Sequence, residues 1–392
     1  MKRIIITFNI VLMALCASAQ LPYQSVVNAI ESSSPLFEVL RNQKEAGQLS
    51  AMSESLFQDP EVEFGYYGGS PTEVGNRWDL SVMQPFELPG AIKTRNRIRH
   101  LLSEEAKVDF RICRAELLKE VMTTCNDIVY YRQCVEFYTR CVSRAQQLSD
   151  VYKKRMEAGD CSILEYNRVM MDLADLQNKL NLAKVDADMS MDNLRILNGG
   201  KSIDFDQNSY DEVVLPKDID AFVEDCLNKG YMNAKYAMQS QQANARLDLA
   251  KAECLPTFQV GYKSENTVGE TFRGVAVGVT LPIWSRKNTV KHANSEVRAT
   301  MSESAARMDE LSNQIKALYR KAQSLQQTLQ TLRDIYNQYD VEELLLKAFN
   351  AGELSLESYL QQVEFYHDSR MTIIETEREL NNLNVELQSA KL

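Results

Sequence analysis

Few residues in this chain could make or break bonds, and their spacing does not assemble them. The three histidines are His100, His292 and His367. They occur without HExxH, GxSxG or a histidine–cysteine pairing, the arrangements that metal-assisted hydrolysis or acyl transfer would need. Of the 8 cysteines, Cys16 lies in the leader described below. The other seven are Cys113, Cys125, Cys134, Cys141, Cys161, Cys226 and Cys254, an odd set that cannot pair completely within one chain. Cys134 and Cys141 share a helical face but stand roughly 10 Å apart along the axis, too far for a disulfide. The 15 methionines follow no repeated metal-ligand spacing, and pairs such as Met170 with Met171 or Met189 with Met191 read as packing residues. The sequence therefore predicts no enzyme, no cofactor and no metal site.

What spacing does organise is a motif present twice. RMEAGDCSILEY at 155–166 and AFNAGELSLESY at 348–359 each carry an Ala-Gly-acid step, then a serine, a glutamate and a tyrosine. The first set is Ala158, Gly159, Asp160, Ser162, Glu165 and Tyr166; the second is Ala351, Gly352, Glu353, Ser355, Glu357 and Tyr359. Glycine takes the left-handed geometry of a helix C-terminus and an acid suits the next N-terminus, so each copy predicts the bend of a helical hairpin. The two glycines are 193 residues apart, while Pro60 and Pro256 are 196 apart and Pro85 and Pro282 are 197 apart. The chain is thus a tandem duplication with a period of about 190 residues.

The elements that must position these bends follow in order. Lys2 and Arg3, the apolar run Ile4–Leu15 and the Ala17-Ser18-Ala19 step predict a secretory signal at 1–19. Lipidation at Cys16 is disfavoured by bulky Leu15. Loss of the signal takes the formal charge from −10 to −12, and with no basic block this excludes nucleic acid as a partner. The first repeat is expected at 20–200, with strands at about 60–69 and 77–86. A linker at 201–216 leads to the second repeat at 217–392, with strands at about 256–265 and 272–283. Val62, Phe64 and Tyr66 alternate with Glu61, Glu63 and Gly65, and Val275, Val277, Val279 and Leu281 alternate with small residues. Such strands are long enough to cross a membrane when tilted, but four cannot close a pore and an open edge cannot sit in lipid. Several copies must pool them. Trp78, Phe86 and Trp284 near the strand ends suit a membrane interface. Proline-free rods of about 100 Å are expected from Gly90 to Glu157 and from Arg286 to Ala351, with shorter return helices to Leu197 and Ala390. The pre-strand helices run from Tyr23 to Phe57, interrupted near Pro35, and from Asp218 to Ala252.

These features together resemble the TolC family of outer-membrane efflux proteins, most closely its metal and multidrug efflux branch related to CusC and CzcC. The residues that carry the likeness are KKRMEAGDCSILEYNRV, LKAFNAGELSLESYLQQV, VMQPFELPG and VTLPIWSRKN, and it covers about 23–390. The resemblance implies a mainly α fold with membrane β strands and a homotrimer that pools four strands per chain into a 12-stranded barrel. It also implies a periplasmic helical tunnel, a membrane-fusion adaptor and an inner-membrane pump of the resistance-nodulation-division type. A type I protein-secretion duct is the alternative within that class, and a periplasmic coiled-coil adaptor or scaffold is the alternative outside it. Carried over by residue, Ala158, Gly159, Asp160, Ser162, Ala351, Gly352, Glu353 and Ser355 would form the adaptor-docking bends. Glu157, Asp160, Glu165, Glu353 and Glu357, repeated three times, would form an acidic periplasmic aperture. Ser358 and Gln361 stand where some relatives keep gating aspartates, so a gate of that kind is not expected.

Overall fold

The computed structural model describes residues 23–53, 57–71, 75–282, 284, 286 and 288–391. The expected signal at 1–19 with Cys16, part of the first strand turn (72–74), and Ile283, Ser285 and Lys287 lie outside the described residues. In chain order the elements are α1 (Gln24–Ser33), α2 (Pro35–Ser53), β1 (Glu61–Tyr67), β2 (Arg77–Phe86), α3 (Pro89–Ala158) and α4 (Ile163–Leu197). There follow α5 (Ile219–Lys229), α6 (Tyr231–Ala252), β3 (Thr257–Thr267), β4 (Glu270–Thr280), α7 (Thr289–Asn337), α8 (Val341–Asn350) and α9 (Leu356–Ser389). The fold is mostly helical with one four-stranded antiparallel sheet. Two compact units draw on both halves of the sequence. One contains the bends (residues up to Val39, Arg114–Cys226 and Asn313 onward), the other the sheet (Leu40–Cys113 and Leu227–Ser312).

The expected first rod is a single helix, α3, of 70 residues, about 105 Å long at 1.5 Å per residue. The expected second rod is not continuous. It breaks at Gln338–Asp340, leaving α7 with 49 residues and α8 with 10. Asp340 ends the break by acting as an N-cap, its Oδ1 accepting the Glu343 N–H at 3.1 Å. This is the D-x-x-E start signal, and it outweighs the helix-forming residues around it. The pre-strand helix of the second repeat is also divided, at Gly230, whose extended backbone precedes α6. Its counterpart in the first repeat is the Ser34 break before Pro35. Ser34 and Gly230 are 196 residues apart, the repeat period again.

In the bend-bearing unit the core is built from heptad-like rows. Cys134, Phe137, Cys141 and Ala145 of α3 pack with Leu173, Leu176 and Ala183 of α4 and Ile374 of α9. Ile128, Val129, Leu194, Ile315 and Ile373 are sealed from solvent. Cys125, Cys134, Cys141 and Cys226 are buried thiols, and burial pushes Cys125 up to about 12 and Cys134 up to about 11, as expected of packing residues.

Linker residues 201–216 form a strap without helix or strand. Side chains of the helices beneath hold its carbonyls. Arg132 donates to Gln207 O (3.0 Å), Gln326 to Val213 O (2.8 Å) and Tyr319 OH to Pro216 O (2.6 Å). The strap's Tyr210 OH donates in return to Asn126 O (2.8 Å). A segment with no ladder of its own is fixed because its backbone polar groups find partners.

The sheet-bearing unit has strand order β1-β2-β3-β4. The expected second hairpin turn at 266–271 is tighter, with Thr267 paired to Glu270 and Gly269 at φ +89°. Around the foot of the sheet, Arg95 meets Glu87 (2.8 Å) and Glu253 (3.1 Å), and Arg286 meets Glu253 (2.6 Å). This knot of charge ties together the segments that leave β2, enter β3 and leave β4.

Candidate functional site

Both bends are the same device. At the first, Gly159 N–H donates to Met156 O (3.0 Å) and Asp160 N–H to Arg155 O (2.7 Å); at the second, Gly352 donates to Phe349 O (3.0 Å) and Glu353 to Ala348 O (3.0 Å). These are paired Schellman closures, and they require the left-handed backbone seen at Gly159 (φ +81°) and Gly352 (φ +78°). A Cβ at either glycine would meet nothing within 4 Å. The requirement is therefore conformational within the chain, and the space above each glycine is open.

Three residues beyond each glycine a serine restarts the helix. Ser162 accepts from Glu165 N–H (3.2 Å) while Glu165 Oε2 accepts from Ser162 N–H (2.7 Å), a complete capping box. Ser355 accepts from Ser358 N–H (3.1 Å) without a returning carboxylate. The two glutamates that look equivalent in sequence differ by one position: Glu165 closes the cap, whereas Glu357 sits one residue earlier relative to its serine. The Ser162 N–H holds the Glu165 carboxyl below its ordinary value of 4.5. Its contribution is present above that value and is lost as pH falls through the lowered one. Ser162→Ala is expected to cost about 1 kcal/mol locally, seen as a roughly fivefold faster hydrogen exchange at 163–166. Ser355→Ala should have a smaller effect at 356–359.

Every residue expected at the bends or the aperture is exposed: Glu157, Ala158, Gly159, Asp160, Ser162, Glu165, Ala351, Gly352, Glu353, Ser355 and Glu357. Aromatic stacking brings the two motifs together within one unit. Phe349 stacks on Tyr359 (centroids 4.6 Å) and on Tyr152 of the first hairpin (6.5 Å). Beside this stack is a cavity of about 670 Å³ whose lining includes Arg144, Asp172, Glu342, Phe349, Tyr359 and His367.

The cavity contains a cluster that sequence spacing did not reveal. His367 Nε2 lies 3.4 Å from Cys141 Sγ and 3.2 Å from Glu342 Oε1, so a histidine and a cysteine do meet, although 226 residues separate them. They do not make a nucleophile. Both contacts fall on the same ring nitrogen, leaving none to a base-and-orienter relay, and burial pushes the Cys141 thiol up to about 12. Among the described residues no group of three or more His, Cys, Asp or Glu is placed to hold a metal ion.

The sheet is the second candidate feature. Direct cross-strand partners share a face. One face carries the rows Val62–Val82–Tyr262–Val275, Gln84–Val260–Val277 and Phe86–Phe258–Val279. Its apolar groups are open to solvent, Val277 at 71% and Val275 at 78%. The opposite face carries Glu61, Glu63, Arg77, Asp79, Ser81, Lys263 and Glu265, with an Arg77–Glu265 ion pair at 3.1 Å. The apolar band is staggered. Phe64, its centre on β1, is in register with Leu80, Ser264 and Arg273, but the band on β4 centres on Val277, four residues further along. That is about 13 Å along the strands over about 14 Å across three strand spacings, a tilt of about 40–45°. No helix among the described residues is long and apolar enough to cross a membrane.

No protein-family model matches the chain, and no curated protein matches its sequence. Solved structures do, and they share its fold. The Campylobacter jejuni CmeC outer membrane channel matches with a TM-score of 0.75 at 15% identity, over 94% of this chain and 85% of that one. The open state of the Neisseria gonorrhoeae MtrE outer membrane channel matches at 0.76 and 12% identity, over 94% and 88%. CusC matches at 0.79 and 11% identity, over 94% and 91%. CusC is not nearer in sequence than the other two, so the likeness extends to the fold at large and does not single out the CusC and CzcC branch.

Proposed function

We propose that the chain is one protomer of a trimeric outer-membrane duct, carrying substrate passively from a periplasmic adaptor and an inner-membrane pump to the outside. The observation that carries this reading is the sheet. It has an apolar face open to solvent, a charged opposite face, a membrane-like tilt and two unpaired edges, β1 and β4. A sheet edge in lipid leaves backbone groups without partners, which only closure removes. Three copies of four strands make a 12-stranded barrel of even count.

The helices supply a second reason for pooling chains. Leu164, Met171, Leu182, Val185, Met189 and Ile196 of α4 are exposed at heptad-like spacings, the seam that another helix covers in a coiled coil. In this reading the two repeats of the sequence, 20–200 and 217–392, each contribute one hairpin and one strand pair.

The bends at Ala158, Gly159, Asp160 and Ser162 and at Ala351, Gly352, Glu353 and Ser355 receive the adaptor hairpin, whose approach the open space above each glycine permits. Glu157, Asp160, Glu353 and Glu357, three of each, form an acidic rim that favours cations. Glu165 is already committed to its cap and contributes less. A pump of the resistance-nodulation-division type is the favoured energy source and a type I protein-secretion system the alternative, with cargo selected by the pump. Fractionation followed by mass measurement in detergent tests the assembly. A three-chain particle in the outer membrane is expected; a soluble monomer would contradict it and favour a periplasmic scaffold.

A further inference from the structure

The rows that give the sheet its apolar face contain one charge. Among the described residues that the strand register places there, from Val62 and Phe64 on β1 to Val277 and Val279 on β4, only Arg273 is charged. Its side chain is exposed, and its guanidinium has no ion pair or hydrogen bond among the described residues. The carboxylates of the strands do not supply one, because Glu61, Glu63, Asp79, Glu265 and Glu270 belong to the opposite face. A second copy closing against β4 would not supply one either, since its β1 brings Val62, Phe64 and Tyr66 to this face.

The strands also set the level of Arg273. On β2, Phe86 and Trp78 bound the apolar face at the helix end and at the hairpin-turn end, or tip. The eight residues between them span about 27 Å along the strand, or about 20 Å along the membrane normal at a tilt of about 40–45°. Val82 is midway, and Val277 is the matching centre on β4. Arg273 is four residues nearer the tip than Val277, about 10 Å above the middle of the band and level with Trp78. The next row toward the tip is polar: Asn266 pairs with Thr271, whose hydroxyl donates to Asn266 Oδ1. The Asn266 amide thus keeps its N–H donors for another acceptor.

We propose that Arg273, with Asn266 as a second donor, binds the phosphate of a lipid headgroup in the leaflet on the tip side. A charge on a lipid-facing strand is tolerated near the interface and beside a counter-charge. This one stands near the interface and the chain offers no counter-charge, so the lipid must provide it. Arginine can lay its stem along the apolar surface while the guanidinium rises to the headgroups, and its planar fork fits two phosphate oxygens. A phosphate monoester suits it better than the diester of a zwitterionic lipid, whose own ammonium competes. The site rests on the reading of the sheet as membrane-spanning. Because β4 is an edge strand, the lipid would lie over the junction between one copy and the next.

Native mass spectrometry of the purified full chain in detergent tests the site and counts the chains in the same spectrum. The probes are lipid A and lipid A stripped of its phosphates. The wild-type particle is expected to retain lipid A at up to one per chain and to bind the stripped form several-fold more weakly. Arg273→Gln should bind both forms equally weakly, and Arg273→Lys, which keeps the charge without the fork, should fall between. Lys263→Gln, which removes a charge from the opposite face, should bind like wild type. Equal binding of the two forms by the wild-type chain, or undiminished binding of lipid A by Arg273→Gln, would overturn the site. A three-chain particle that ignores the phosphates removes the lipid site alone. A single chain removes the assembly, and its own response to the phosphates still decides the site.

Discussion

A chain carrying Gly159→Leu and Gly352→Leu together is expected to lose adaptor crosslinking and export while still assembling. Both glycines sit at positive φ, +81° and +78°, where a residue with a Cβ costs about 1–2 kcal/mol. Neither Cβ would collide with the chain, so the internal penalty is confined to the two backbone closures. A pair of asparagines separates bending from docking. Asparagine tolerates the left-handed region, so Gly159→Asn with Gly352→Asn should keep both bends while filling the space above them. If the bends receive a partner, this variant also loses adaptor affinity, though less than the leucine pair. If they serve only to turn the chain, the asparagine pair behaves as wild type and the docking assignment fails. A variant altered only in the strand turn at 69–76 should leave adaptor affinity unchanged, and loss of the trimer in either glycine variant would assign the bends to assembly.

The second large effect is expected on the sheet. Val277 is 71% exposed and packs into no core, so in a soluble protein Val277→Arg would be nearly neutral. On a lipid-facing strand the same change costs about 2–4 kcal/mol near the bilayer midplane and should sharply reduce recovery of heat-resistant trimer from the outer membrane. Gln259→Arg, on the face that carries Lys263 and Glu265, is the matched control and should insert normally. Equal recovery of both variants would remove the assignment of the apolar face to lipid.

Much of this architecture was legible in the sequence because it is written in local chemistry. Glycine followed by an acid and, three residues after the glycine, by serine marks a helix closure and restart, and both bends formed where that pattern stands. Alternation along Val62–Tyr66 and Val275–Leu281 is a period-two signal, and both segments are strands through Tyr67 and Thr280. The break in the second rod was legible in principle, since Asp340 and Glu343 are spaced as a helix start. It was hidden by the absence of proline and glycine, the signals that usually end a helix. The different roles of Glu165 and Glu357 rest on a one-residue offset that similarity of the two motifs conceals. The contact between Cys141 and His367 could not be read from spacing, because it exists only after α3 and α9 have packed. The stagger of the apolar band likewise needs the register of all four strands, which no single strand encodes.

The central claim is that three chains pool their strands into one conducting barrel. Its most direct test is conductance of the purified protein in a planar lipid bilayer, with the native mass of the same preparation measured in detergent. A particle of three chains that inserts in discrete, uniform current steps and prefers cations, as an acidic rim at the bends would impose, is the predicted result. A folded protein that stays monomeric and never conducts would contradict it.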